Sequence, residues 1–512
     1  MKKILLTFLV TGFGYLTASA QPNLSDKLKN YVNQFNANDN EAVINHISNA
    51  NSYQWMNDNI PLFDFPDKEI EQMYYFRWWS FRKHIKQTPE GFIVTEFIEP
   101  VKHAGKYNSI SCALGHHIYE SRWIRNPFFV EDYVNFWLYK ADVDQNRPRF
   151  HQFSSWIDDA LLEYYKVQPN QKFISAIIAD LDKDYEKWEQ ERQLPNGIFW
   201  QHDVKDGMEE SVSGGRREEN MRPTISSYMY GNAKALVELA KIGGQPHLVE
   251  KYQAKAEKLK QLVQDSLWDD KDKFFKTRLE KDKGLHRARE AIGFVPWYFN
   301  LPADNKKYAA AWTQLTDTAG FKAPWGLTTA ERREPTFRTR GSGHGCEWDG
   351  AIWPFATTQT LRGLSNLLTN YRHKDGMSTE VFYDELHKYA WSQQMYGKPY
   401  IGEYQDEKNG RWLKGDDPRS KFYNHSTFMD HVISDLIGLK PQLDNSVRIH
   451  PLIPKAKADW FLLENIPYKG KLLKIMWDKT GNRYKQGKGF RIYADGKEIA
   501  KFNKLKPVHV KL

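Results

Sequence analysis

The stretch 197–230, GIFWQHDVKDGMEESVSGGRREENMRPTISSYMY, gathers six carboxylates and three arginines around glycine turns, just ahead of an amphipathic run. At its centre stand Asp206, Gly207, Met208, Glu209, Glu210 and Ser211. Gly207 permits a tight turn, Met208 and Trp200 lower the local polarity, and neighbouring acids such as Asp206 and Glu210 push one another towards the protonated form. Hydrolysis of a glycosidic bond needs such a protonated carboxyl group to serve the leaving oxygen. It also needs a second, ionised one to activate water or attack the sugar. Acids in a loop commonly do no more than cap or solvate it. Here Phe199, Trp200 and His202 precede them and Arg216, Arg217 and Arg222 follow, so the acids sit among side chains that stack on rings and bind hydroxyls.

Two further loops offer partners. In 399–412, PYIGEYQDEKNGRW, Glu403 follows Gly402, with Tyr400 and Tyr404 on either side and an Asn409-Gly410 turn behind. A lone loop acid of this kind is ordinarily a surface residue. In 345–361, GCEWDGAIWPFATTQTL, Trp348 and Trp353 straddle Gly350, and Pro354 stands where a first helical turn tolerates it. Tryptophans at the base of a helix commonly serve packing; with Glu347 and Asp349 beside them they would instead make a sugar subsite. Trp325, in Ala-Pro-Trp-Gly, and His425, in FYNHS, lie in similar loop pieces, although a single histidine is more often a structural hydrogen-bonding group.

Helices must position these loops. Residues 67–87 put Ile70, Tyr74, Trp78 and Phe81 at helical spacing, and 91–100 alternates as a short strand or extended arm. Helices are expected at 130–141, 154–165, 170–192, 225–242, 248–267, 287–297, 306–317, 352–368, 379–394 and 426–439, with Asn170 as one cap. From residue 441 the character changes to short apolar-alternating segments at 446–451, 472–477, 489–493 and 508–512, broken by Asn-Ile-Pro, Thr-Gly-Asn and Asp-Gly turns. Helical hairpins with chemistry on their connecting loops predict a mainly α (α/α)6 toroid over 66–440, a small C-terminal β-domain over 441–512 and a polar, Asn-rich N-terminal extension over 21–65. An α-solenoid is the alternative, but no repeat of fixed period supports it.

At the N-terminus, Lys2 and Lys3 precede an apolar run from Ile4 to Tyr15 and then Ala18-Ser19-Ala20, which reads as a cleaved secretory signal over 1–20 and predicts a periplasmic or secreted protein. No later segment has the apolar length of a membrane span. The chain of 512 residues carries a net charge of +9, mild for its length, and no basic cluster interleaved with stacking aromatics, so nucleic acid is discounted. Its aromatic content, 14%, suits sugar stacking and core packing alike. Cys112 and Cys346, the only thiols, exclude a cysteine-built metal site; one disulfide between them is open, and their spacing does not decide it.

In order and form the three acid-bearing loops resemble the inverting α-glycosidases of the (α/α)6 clan: processing α-glucosidase I (glycoside hydrolase family 63), mannosylglycerate hydrolases and, more distantly, trehalases. The likeness covers roughly residues 65 to 440 and is nearest to mannosylglycerate-hydrolase-like bacterial proteins. That family's acid segment has the form S-G-M/L-D-N/D-S. The match in frame implies Glu209 as general acid, in place of the usual Asp, with Asp206 as alternative donor or sugar-binding residue. The family's base loop implies Glu403 as general base, with Gly410 matching and Tyr404 one position early. A Trp-Arg-Gly-Pro-x-Trp segment becomes Trp348-Asp349-Gly350-Ala351-Ile352-Trp353, keeping both tryptophans but exchanging Arg for Asp and Pro for Ala. With the leader implying export, the resemblance implies an inverting glycosidase for an α-linked carbohydrate, needing no metal or organic cofactor, and a deep toroid pocket favours exo-action. Trp200, His202, Arg222, Trp325, Glu347, Trp348, Asp349, Trp353, Tyr404 and His425 are the residues expected to bind the sugar. The rival classes are another toroidal carbohydrate enzyme, such as an α-L-rhamnosidase, unsaturated uronyl hydrolase or lyase, and a glycan-binding protein without catalysis.

Overall fold

A computed structural model describes residues 23–340 and 345–512; the leader expected at 1–20 lies outside the described residues. Helix starts and stops follow the local signals. Pro223, Pro246 and Pro354 open their helices at the first turn, where the missing N–H costs nothing. Asn170 and Ser378 cap Gln171–Arg192 and Thr379–Ser392 through their side chains, and Gly244 ends Pro223–Gly243 in the left-handed region.

Burial sorts the helices into an inner and an outer layer. Leu114–Ser121, Val295–Tyr298 and His431–Leu436 are buried along their whole length, and Pro354–Asn370 and Pro223–Gly243 nearly so. Gln171–Arg192 and Pro246–Ser266 bury one stripe each, Ile174, Ile177, Ile178, Leu181, Tyr185 and Trp188 in the first, and turn charged faces outward. Pro223–Gly243 packs on its sequence-adjacent outer partner Pro246–Ser266 and Pro354–Asn370 on Thr379–Ser392, while Pro223–Gly243, Val295–Tyr298, Pro354–Asn370 and His431–Leu436 pack in succession, the arrangement of an (α/α)6 toroid. Lys68–His84 lies against Thr379–Ser392, and its Arg77 donates to the Ser426 carbonyl and hydroxyl at 2.5 and 3.0 Å, so an N-terminal helix meets the C-terminal turn of the toroid. That helix is buried almost all round because Leu24–Ala37 lies over its other side.

Several elements depart from the expected boundaries. Leu114–Ser121 is a helix where none is expected; it is only two turns long, and its His116, His117, Glu120 and Ser121 are buried along with its apolar residues. The helix expected at 287–297 begins as a 3-10 turn, Ala291–Phe294, and the one at 306–317 breaks into three short pieces. That at 426–439 narrows to a π-helix, His431–Leu436. The 21–65 segment holds helices Leu24–Ala37 and Asn49–Asn59 and a strand, Leu62–Asp64.

That strand is the edge of an antiparallel sheet whose other strands, in order, are Trp460–Tyr468, Lys471–Asp478, Gly489–Ala494 and Lys497–Phe502. A second sheet orders Val508–Lys511, Ser446–Ile449 and Leu439–Lys440. The Asn-Ile-Pro expected to be a turn lies inside Trp460–Tyr468. A bulge between Leu463 and Ile466, with Asn465 at φ 62°, lets the strand pass through it. Among the described residues no helix is long and apolar enough to cross a membrane.

Candidate active site

The acid-bearing loop is anchored from below. Asp206, 2% exposed, accepts hydrogen bonds from Ser154 Oγ at 2.7 Å, from Arg222 Nε at 2.6 Å and from the Thr224 hydroxyl. Arg222, the residue before helix Pro223–Gly243, also donates to Ser211 Oγ at 3.2 Å, so one buried guanidinium ties both ends of the turn to a helix start. Met208 is fully buried, and Asp203 accepts from the Val204 and Glu210 amides at 2.6 and 3.2 Å. Gly207 has φ 70°, and a Cβ there would lie 2.2 Å from the Cys112 sulfur, so the turn admits glycine alone. Glu210, at φ 63°, pairs with Arg338. Held in this way, Glu209 faces a cavity of about 290 Å³.

Glu403 lines the same cavity from the other acid loop. It is 2% exposed, and Arg419 Nη2 donates to both of its oxygens at 3.1 and 3.0 Å. Ser420 Oγ and Lys414 Nζ stand at 3.3 and 3.7 Å. The two carboxyl groups therefore sit in unlike surroundings. Burial, followed by repulsion from Glu403 and Asp203, pushes Glu209 up to about 7, whereas Glu403 is ion-paired. Two acids with environments this far apart in one cavity can serve as proton donor and carboxylate.

Of the residues expected to contact sugar, Trp348, Trp353 and His425 join the two acids in lining the cavity. Trp348 stacks on Trp353 at 4.5 Å between centroids, and Trp353 on Tyr404 at 4.6 Å. Tyr404 donates to the Gly345 carbonyl at 2.7 Å, and Trp353 Nε1 to the Glu347 carbonyl at 3.1 Å, so Tyr404 and Glu347 support the wall from behind. Asp349 pairs with Arg338 at 3.1 Å, and burial, the largest influence, lifts it to about 6. Other expected residues lie apart. Asp206 and Arg222 are buried under the loop; Trp200 packs on His202 and beneath Arg192. His202 Nδ1 pairs with the Glu218 carbonyl at 3.1 Å. Trp325 stacks on Trp391 at 4.3 Å and lines a different groove, behind the 409–417 loop.

Cys112 and Cys346 are both free thiols, and both line the cavity. Glu96, Arg419 and Tyr423 line it as well and carry no motif that marks them. The one sequence signal for Glu96 is a carboxylate inside an otherwise apolar run, FIVTEFI.

A family model described as the mannosylglycerate hydrolase MGH1-like glycoside hydrolase domain matches residues 106–426, which span most of the toroid and all three acid-bearing loops. The chain belongs to that family. The chain also matches the glycosyl hydrolase family 65 C-terminal domain over residues 439–500, within its β-sheets. A solved structure described as a sialidase shares 48% identity with a TM-score of 0.91 over 96% of this chain and 45% of its own. An uncharacterized protein of Borreliella burgdorferi is 24% identical over 225 residues, 44% of this chain and 45% of that protein. This chain thus spans about half the length of either relative. The family 63 mannosylglycerate hydrolase of Thermus thermophilus, solved with glucose, is 12% identical with a TM-score of 0.52 over 70% of this chain and 99% of its own, a likeness of fold.

Proposed function

We propose that this glycoside hydrolase cleaves an α-glycosidic bond by single displacement with inversion. Glu209 protonates the departing oxygen while Glu403 takes a proton from the water that attacks the opposite face of the ring. The observation that carries this reading is the pairing in one cavity of an acid raised to about 7 with an acid clamped by arginine. Asp206 is the weaker candidate for donor, because Arg222, Thr224 and Ser154 already occupy its oxygens. A cavity of about 290 Å³, at the small end for ligand sites, suits one chain-end sugar and hence exo-action. The charged, apolar and small-residue order of the first 20 residues supports export, and N-terminal sequencing of the mature protein from its native host tests it.

The test is a panel of α-mannosides, α-glucosides, α-L-rhamnosides and α-sialosides, the last because a longer relative is described as a sialidase. The anomer released first is followed by NMR. Inversion gives the β-anomer from an α-glycoside; first release of the α-anomer overturns single displacement. Glu403→Gln is expected to lower turnover by about 10²–10⁴-fold, the usual contribution of a general base. Full turnover in that variant removes Glu403 from the mechanism.

A further inference from the structure

Three cavity-lining side chains carry buried polar atoms without a hydrogen-bond partner: Glu96 Oε2, both ring nitrogens of His425, and Trp348 Nε1. Leaving such groups unpaired is costly, and a native protein keeps them where something else supplies the partner. Their convergence on one cavity, beside the proton donor, distinguishes them from orphan atoms scattered through the core.

Glu96 is fixed in place. Its carbonyl accepts from the Asn424 amide at 3.0 Å, and the Thr95 carbonyl accepts from Asn424 Nδ2 at 3.2 Å, so the backbone on both sides is pinned to the loop that also carries His425. The Glu96 side chain is 3% exposed and reaches Tyr423. Burial, with repulsion from Glu403 and Glu209 and against a hydrogen bond from Tyr423, raises its carboxyl well above the ordinary range and so favours the protonated, donating form. His425 lies edge-on to Tyr423 at 4.3 Å. The backbone of Tyr423 and of Glu403 approaches its ring without making a hydrogen bond of good geometry. Burial, with the positive charge of Arg77 nearby, holds the imidazole neutral, with one nitrogen a donor and the other an acceptor.

A neutral acid, a neutral imidazole and an indole N–H over an aromatic wall complement a group that both donates and accepts. A sugar hydroxyl is such a group; a carboxylate or phosphate, which only accepts, is not. The geometry points to Glu96 as a specificity residue that donates a hydrogen bond to a ring hydroxyl of a neutral sugar, with His425 and Trp348 completing the contact. This rests on the reading of the cavity as the glycosidase site, but its test requires no turnover.

Binding of D-mannose, D-glucose, L-rhamnose and N-acetylneuraminic acid, which carry no glycosidic bond to cleave, is measured by calorimetry in the Glu209→Gln background, where the titration of Glu209 is removed. A neutral sugar is expected to bind. Glu96→Ala added to that background is expected to weaken it by roughly 10–100-fold, the cost of leaving its hydroxyl and the cavity groups unpaired. Glu96→Gln, which keeps a donor of the same size, is expected to stay within a few fold. Affinity in the Glu209→Gln protein is expected to fall at high pH as Glu96 ionises, and to be flat with Glu96→Gln. Equal binding by the Ala and Gln variants, tightest binding of N-acetylneuraminic acid, or no binding by any of the four sugars overturns the assignment. Hydrolysis of a glycoside by Glu209→Gln at the wild-type rate would count against the catalytic reading alone.

Discussion

At the scale of single residues the site turns on one carboxyl group kept protonated near neutrality. The raised value of Glu209, caused first by burial and then by Glu403 and Asp203, has two opposite consequences. A proton donor is active only while protonated, so turnover should decline as pH rises through about 7. Glu209→Gln should lower kcat by about 10²–10⁴-fold, the usual size of general-acid catalysis. The same substitution should move stability the other way. A carboxyl whose folded value exceeds its unfolded one favours the fold while protonated and costs stability as pH rises through the folded value. The Gln variant should therefore gain stability relative to the wild type between about pH 6 and 8, around the raised value of about 7. Urea melts at both pH values check this. A constant difference between the two proteins would mean that the carboxyl is not shifted. The two acid loops are visible in the sequence from their turns and aromatics, but within them Glu209 and Glu403 are singled out only by the resemblance to the family. Arg419 and Glu96 carry no motif that marks them: Arg419 reaches Glu403 from 16 residues on, and Glu96 is brought beside both acids from a segment far away in sequence.

At the scale of elements the acid loop depends on a turn that only glycine can make. Gly207→Ala adds a Cβ 2.2 Å from the Cys112 sulfur at φ 70°, so the loop must move. It should lose about 1–3 kcal/mol of stability, and turnover should fall with it because Glu209 is carried on the same turn. Gly244→Ala is the control: φ is 73° but nothing lies within 4 Å of the new atom. It should cost about 1–2 kcal/mol for the left-handed conformation alone and leave turnover intact. Melting and turnover of the two variants together separate strain from displacement; equal turnover in both would show that the acid loop tolerates the shift. The long outer helices are legible because one stripe is buried and caps mark their ends, as at Asn170 for Gln171–Arg192. Leu114–Ser121 and the strand Trp460–Tyr468 are not. The first is only two turns long and buries polar residues along with its apolar ones, and the second runs through a Pro and a bulge that read locally as a turn.

At the scale of the whole molecule the toroid and the β-sheets are joined through the N-terminal segment, whose polar composition suggests a loose extension. Asp64 is the centre of that junction. It lies on the edge strand of the sheet, is fully buried, and pairs with Lys27 of the first described helix. It also accepts from Arg483 at 3.1 Å and from the Tyr484 hydroxyl at 2.8 Å in the C-terminal sheet. Lys27 bonds as well to Glu71 on the aromatic helix at 2.7 Å, so one charge cluster holds three parts of the chain together. Burial alone would raise the Asp64 carboxyl, but Lys27, Tyr484 and Arg483 together hold it below the usual range. A lowered folded value means stability that is present above the unfolded value and lost as pH falls through the folded one. Asp64→Asn should therefore destabilise the protein at pH 7 by about 3 kcal/mol, the low end for breaking a buried pair because Lys27 and Arg483 keep some access to water. The gap between variant and wild type should close as pH drops below the ordinary carboxylate range, where the wild-type aspartate protonates too. Urea melts of both proteins at pH 7 and at pH 3 measure it. A gap unchanged between those conditions would mean that Asp64 acts through its shape and hydrogen bonds, and that the junction is held by packing of Leu62 and Phe63 instead of by charge.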